Sequence, residues 1–96
     1  MLTASPVVAI NRAVALAEAQ GAEEGLAALE PLAEDARMAL YQPYWAALAQ
    51  LSASAGRADA ADKAYEQAIG LESDPAVRRF LQGRRTLARP SSANET

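Results

Sequence analysis

Asn11 and Arg12 are the polar pair best suited to grip another chain. An Asn amide can donate to and accept from a peptide backbone at the same time. An Arg beside it can add a charge-assisted bond to a carboxylate. The same residues have a plainer use: Asn11 bonds a neighbouring helix, and Arg12 pairs with Glu18 or Asp35. A carboxylate clamp needs several basic groups in one groove, and the second half of the chain offers only Gln50 to match. Tyr41 and Tyr44 flank the start of a helical stretch and are candidates to anchor a partner. Trp45, next to them, reads as a core residue. Near the C-terminal end, Arg78, Arg79, Arg84, Arg85 and Arg89 crowd one short segment. Three uses suit them: intramolecular or solvated charge, contact with an acidic protein surface, or neutralisation of phosphates. The last is the least supported, because no aromatic side chains are interleaved for stacking. The carboxylate pairs Glu23-Glu24 and Glu34-Asp35 are sequence neighbours, which point about 100° apart on a helix and do not converge on a substrate.

The chain contains no His and no Cys. Thiol nucleophiles, disulfides, iron–sulfur clusters, thiolate or imidazole zinc sites and histidine acid–base catalysis are therefore excluded. No metal-ligand spacing or glycine-rich phosphate loop is present. Neither a cofactor nor an enzymatic role is expected.

The elements that hold these residues are helical. Alanine makes up 25 of 96 residues and has the highest helix propensity, while period-2 alternation is absent. Ser5-Pro6 is a cap followed by a proline at the first helical position. The first helix carries Val7, Ile10, Val14 and Ala17 inward and stops at Gly21. The second spans about 22–35, with Leu26, Leu29 and Leu32 apolar, and Pro31 predicts a kink or early end near Glu30. Residues 36–42 read as a connector. The third helix starts at Gln42-Pro43, carries Trp45, Leu48 and Leu51, and stops at Gly56. The fourth spans about 59–71, with Ala61, Ala64, Tyr65, Ala68 and Ile69 on one face. The fifth follows Asp74-Pro75, with Val77, Phe80, Leu81 and Leu87 inward, and ends before Pro90. Residues 1–89 form one domain, and 90–96 are expected to be a disordered tail.

Gly21 and Gly56 stand 35 residues apart, and Leu29 and Tyr65 are 36 apart. A mid-thirties period with two helices per unit marks a helical repeat. Trp45, Leu48, Ala49, Gly56, Ala61, Tyr65 and Ala68 resemble the tetratricopeptide pattern, in which small residues admit close helix approach and aromatics fill the gaps. Ser52 departs from it where an aromatic is wanted, as does Ser73 where a proline is wanted. In the first unit Ile10 stands for the Trp and Gly25 for the Ala. The resemblance implies an all-α fold of two tetratricopeptide-like hairpins in a right-handed stack, capped by the fifth helix. It also places Val8, Asn11, Ala15 and Glu18, with Pro43, Ala46, Gln50 and Ala53, along the inner face.

The phrase SPVVAINRAVALAEAQG is more specific. With GLAALEPLAED, YQPYWAALAQL, GRADAADKAYEQAIGL and VRRFLQGR in order, it resembles the C-terminal tetratricopeptide-like extension of bacterial RNA polymerase sigma factors of the extracytoplasmic-function type. The resemblance covers about residues 5–87. It implies a non-catalytic, cytoplasmic, protein–protein interaction domain in transcription control. Its partner would be another protein or the sigma factor's own upstream domains. RNA polymerase would be reached only through domains that these 96 residues have no room for. A free-standing repeat adaptor that binds a peptide is the alternative. The first helix is apolar nearly all round, so a homodimer is also open.

Charge is divided. Residues 1–74 carry a net charge of -7 and residues 75–96 a net charge of +4. No apolar run approaches the ~18 residues of a membrane span, and the start MLTASPVV lacks a signal-peptide pattern.

Overall fold

The computed structural model describes residues 5–88. Within them the chain forms five α-helices: α1 (Pro6–Gln20), α2 (Ala22–Leu29), α3 (Gln42–Ser54), α4 (Ala58–Leu71) and α5 (Pro75–Ala88). No strand occurs among the described residues. The expected tail, 90–96, and Arg89 lie outside them.

The start and stop signals act as expected. The Ser5 hydroxyl accepts from the Val7 N–H at 3.1 Å, and Pro6 opens α1. Gly21 alone joins α1 to α2. Its φ of 111° and ψ of 157° belong to a region that only glycine enters without strain. Its N–H donates to the Ala17 carbonyl at 2.8 Å, and its carbonyl accepts from the N–H of Glu24 at 3.1 Å. At the end of α3, Gly56 has φ 81°. Its N–H donates to the Ala53 carbonyl, while the Arg57 N–H reaches back to the Ser52 carbonyl at 2.8 Å. This is a Schellman stop, in which the left-handed glycine lets the chain turn and satisfies the last carbonyls.

Pro31 ends α2 early. The α-helix closes at Leu29 and passes into a 3-10 turn over Glu30–Glu34. The expected connector is not irregular: Ala36–Leu40 form a second 3-10 turn. Asp35 caps it, its carboxylate accepting from the Arg37 N–H at 2.9 Å and from the Arg37 guanidinium.

Packing follows chain order. α1 lies against α2, α3 against α4, and α5 against α4, while α3 also touches α1 and α2. Two helical hairpins therefore stack side by side with α5 on the open side of the second. The first core holds Ile10, Ala13, Leu26, Leu29, Met38, Tyr44, Ala47 and Leu51. The second holds Ala49, Ala61, Ala64, Tyr65, Ala68, Ile69 and Leu81. Trp45 and Leu48 border both. Trp45 is thus a half-buried residue at the seam, with its indole N–H donating to the Ala39 carbonyl at 3.1 Å. The edge of its ring pair meets Tyr44 at 5.2 Å between centroids.

Small side chains set the helix spacing. Ala49, Ala61 and Ala68 are fully enclosed between α3 and α4. In the first hairpin Gly25 takes the place of Ala61. A Cβ there would lie 2.6 Å from Ala17 Cβ and 2.8 Å from the Ala13 carbonyl oxygen. Backbones this close leave no room even for a methyl group.

Two inward assignments on α5 need correction. Phe80 is 63% exposed and Leu87 is 81% exposed. The stripe facing α4 is Val77, Leu81 and Ala88, with Leu81 buried. Phe80 and Leu87 sit about 100–120° round the helix from Leu81, away from that contact.

Candidate functional site

Two grooves meet at Gln50. The first, about 350 Å³, is lined by Gln50, Ala53 and Ser54 of α3, Tyr65 of α4, and Arg84, Leu87 and Ala88 of α5. The second, about 120 Å³, runs between α1 and α3, with Val14, Glu18, Gln50 and Ser54 among its walls. Gln50 and Ser54 belong to both because they sit four residues apart on one side of α3. The result is a strip across the three helices α1, α3 and α5. A carboxylate, Glu18, stands at one end, an amide in the middle, and a guanidinium, Arg84, at the other. An extended peptide segment with its own amides and one charge of each sign matches such a strip.

Arg84 is oriented by its own helix. Its guanidinium carbon lies 6.0 Å from the centroid of the Phe80 ring, one turn back. Exposed Leu87 lies on the same side, one turn on. Leu87 thus lines the groove, and Phe80 sits behind the Arg84 guanidinium.

Arg85 does different work from its neighbour. It makes two bonds to Asp62 of α4, Nε to Oδ1 at 2.7 Å and an Nη to Oδ2 at 3.1 Å. This forked pair fastens α5 to α4 and raises the Arg85 pKa, chiefly through the hydrogen bonds its guanidinium donates to Asp62. Arg78 and Arg79 are exposed near the start of α5, beside a shallow surface formed with Ser73, Pro75 and Gln82. Arg57, at the entry to α4, pairs with Glu23 in the first turn of α2. That bond links the two hairpins across their surface.

The structure does not gather all the expected residues. Asn11 and Arg12 are exposed on α1. Neither pairs with Glu18 or Asp35. Asn11 lies seven residues before Glu18, about 10 Å along the helix, and outside both grooves. Arg12 is rotated about a further 100° from it. Tyr44 is a correction. It is only 5% exposed, and burial pushes its phenol pKa up, so it is a core side chain rather than a surface anchor. Tyr41 is half-buried and packs on the same first core. Of the expected set, Gln50 and Arg84 come together. Glu18 and Ala53, expected on one inner face with Gln50, line the same strip, while Tyr65 and Leu87 join them without having been expected there. Their common place depends on how α3 lies against both neighbours, which local spacing does not encode.

No family model matches the chain, and no solved structure matches it. An uncharacterised protein of Rhizobium meliloti (strain 1021) is similar, with 37% identity over 81 residues, which is 84% of this chain. The same match is 19% of that relative, so the chain spans about a fifth of its length. No described helix is long and apolar enough to cross a membrane.

Proposed function

We infer that this chain is a non-catalytic protein-interaction module, the C-terminal regulatory extension of an extracytoplasmic-function sigma factor. The motif resemblance across residues 5–87 supplies the family. The strip at Gln50 supplies the surface, and it is the observation that carries the reading. It offers a charged group at each end and an amide between, on three rigid helices, which suits recognition of a polypeptide segment. In the relative from Rhizobium meliloti the matching segment is a minor part of a longer chain. A module that docks on the rest of its own protein fits that proportion. The segment's partner is then the sigma factor's own promoter-reading domains or a protein that competes for them.

The test is binding in trans. The 96-residue chain is titrated against the promoter-reading region of a sigma factor that carries this segment, and heat is recorded. Gln50→Glu with Arg84→Glu should weaken binding by at least tenfold, since the strip's cation is reversed and a second carboxylate replaces the neutral amide beside it. Asn11→Ala with Arg12→Ala should leave it within twofold. Equal affinities for all three proteins would remove the strip from the interaction. No binding by the parent chain would remove the docking reading.

A further inference from the structure

A different depression lies on the other side of α3, where α2, α3 and the start of α4 meet. It measures about 270 Å³, and Leu26, Leu29, Tyr44, Leu48 and Ser52 line it. Three leucines make its walls apolar. Ser52 and Tyr44 each bring a hydroxyl to it, Ser52 being 2% and Tyr44 5% exposed, and Glu30 and Arg57 stand at its rim. A serine inside a helix ordinarily bonds back to the carbonyl four residues earlier. Thr86 does this on α5, donating to the Gln82 carbonyl at 3.0 Å. Ser52 does not, and its hydroxyl has no hydrogen-bond partner among the described residues. A buried hydroxyl left unpaired is a standing cost, and native interiors pair such groups with protein, water or ligand.

We propose that this depression is a binding site for a small neutral ring that carries one hydroxyl, a phenol-like molecule. An apolar cavity of about 150 Å³ is enough to take a benzene ring, so about 270 Å³ accommodates the ring and its substituent. The leucines take the ring faces. The Ser52 hydroxyl takes the ligand's one polar atom. An anionic ligand is disfavoured: the cation at the rim, Arg57, is already engaged by Glu23, and Glu30 beside it repels anions. This site does not depend on the strip at Gln50, which occupies the opposite side of α3.

The experiment is an NMR titration of the 96-residue chain, with methyl groups observed, using phenol and benzene as probes. Phenol should shift the methyls of Leu26, Leu29 and Leu48 and bind about tenfold more tightly than benzene, the worth of one hydrogen bond to a buried group. Ser52→Ala keeps the helix and should bring phenol to within about twofold of benzene. Ala60→Phe, at an exposed position on the rim, should abolish both responses while leaving the remaining spectrum in place. Absence of shifts at those leucines overturns the proposal, as does a phenol preference that survives Ser52→Ala. Binding of N-acetyltyrosinamide in place of phenol would assign the site to a partner's side chain and overturn the small-molecule reading.

Discussion

Replacing Gly25 by Ala tests the closest contact in the protein. In an ordinary helix this change stabilises by about 1 kcal/mol through propensity. Burying the new methyl would add about 0.8 kcal/mol if there were room. There is none. The new Cβ would lie 2.6 Å from Ala17 Cβ, 2.8 Å from the Ala13 carbonyl oxygen and 3.0 Å from Leu51 Cδ1. Carbon atoms settle at about 3.5–4.0 Å, so the first contact must open by about 1 Å. The leucine methyl can rotate away. The alanine Cβ and the carbonyl are fixed to the backbone of α1, so α1 must back off α2 as a body. Overpacking of this kind costs about 1–3 kcal/mol, and the upper end applies where no side chain can yield. With the propensity gain set against it, the net loss is about 1–2 kcal/mol. For a domain of this size that lowers the melting temperature by about 5–15 °C. The control is Gly83→Ala in α5, where a Cβ meets nothing within 4 Å. The same chemical change should there raise stability by about 0.8–1 kcal/mol. Thermal and urea melts followed by circular dichroism measure both. If Gly25→Ala is as stable as the parent, the two helices of the first hairpin do not pack as described.

Two further outcomes follow from the ion pairs. Asp62→Asn should loosen α5 by about 1 kcal/mol, since the Arg85 pair is forked and partly shielded; hydrogen exchange should quicken in α5 and stay unchanged in α1 and α2, and uniform quickening would refute the local role. The Asp35 carboxyl is held down to about 2 from its ordinary 3.8, first by the side-chain bond from Arg37 and then by the Arg37 backbone N–H. A depressed carboxyl contributes stability that is fully present above pH 3.8 and is lost as pH falls through about 2. Carbon-detected titration should place the midpoint low in the parent and move it toward 3.8 in Arg37→Gln; an unmoved midpoint would show that the guanidinium is not the cause.

The helices were legible because their boundaries are local chemistry. Ser5-Pro6, Gly21, Gly56 and Asp74-Pro75 act on the backbone within a turn of themselves, and each falls where an α-helix starts or stops. Pro31 likewise ends α2 by removing one N–H donor. The segment 36–42 was not legible as a 3-10 turn. Its order comes from Asp35, which bonds the Arg37 N–H and guanidinium together, and an acidic residue two before a basic one is too common a pattern to signal a cap. Phe80 and Leu87 misled for another reason. Apolar type suggested burial, yet α5 has a helix on only one side, and its contact stripe is filled by Val77, Leu81 and Ala88. A terminal helix offers more apolar residues than a single neighbour can cover.

The surface features follow the same division. Asn11 and Arg12 are adjacent in sequence, but adjacency on a helix separates side chains by about 100°. Gln50 and Arg84 lie 34 residues apart and share one groove. What brings them together is the spacing of α3, α4 and α5, and that spacing is set by residues with no polar atoms: Ala49, Ala61 and Ala68, enclosed between the helices. Enlarging any of these would move the groove walls without touching them. The surface a partner meets is therefore specified at one remove, by methyl groups in the core. Ser52 shows the converse. It is visible in the sequence only as a small polar residue inside a helix, and its consequence, a largely apolar depression that its buried hydroxyl borders, arises only when α2 and α4 close round it.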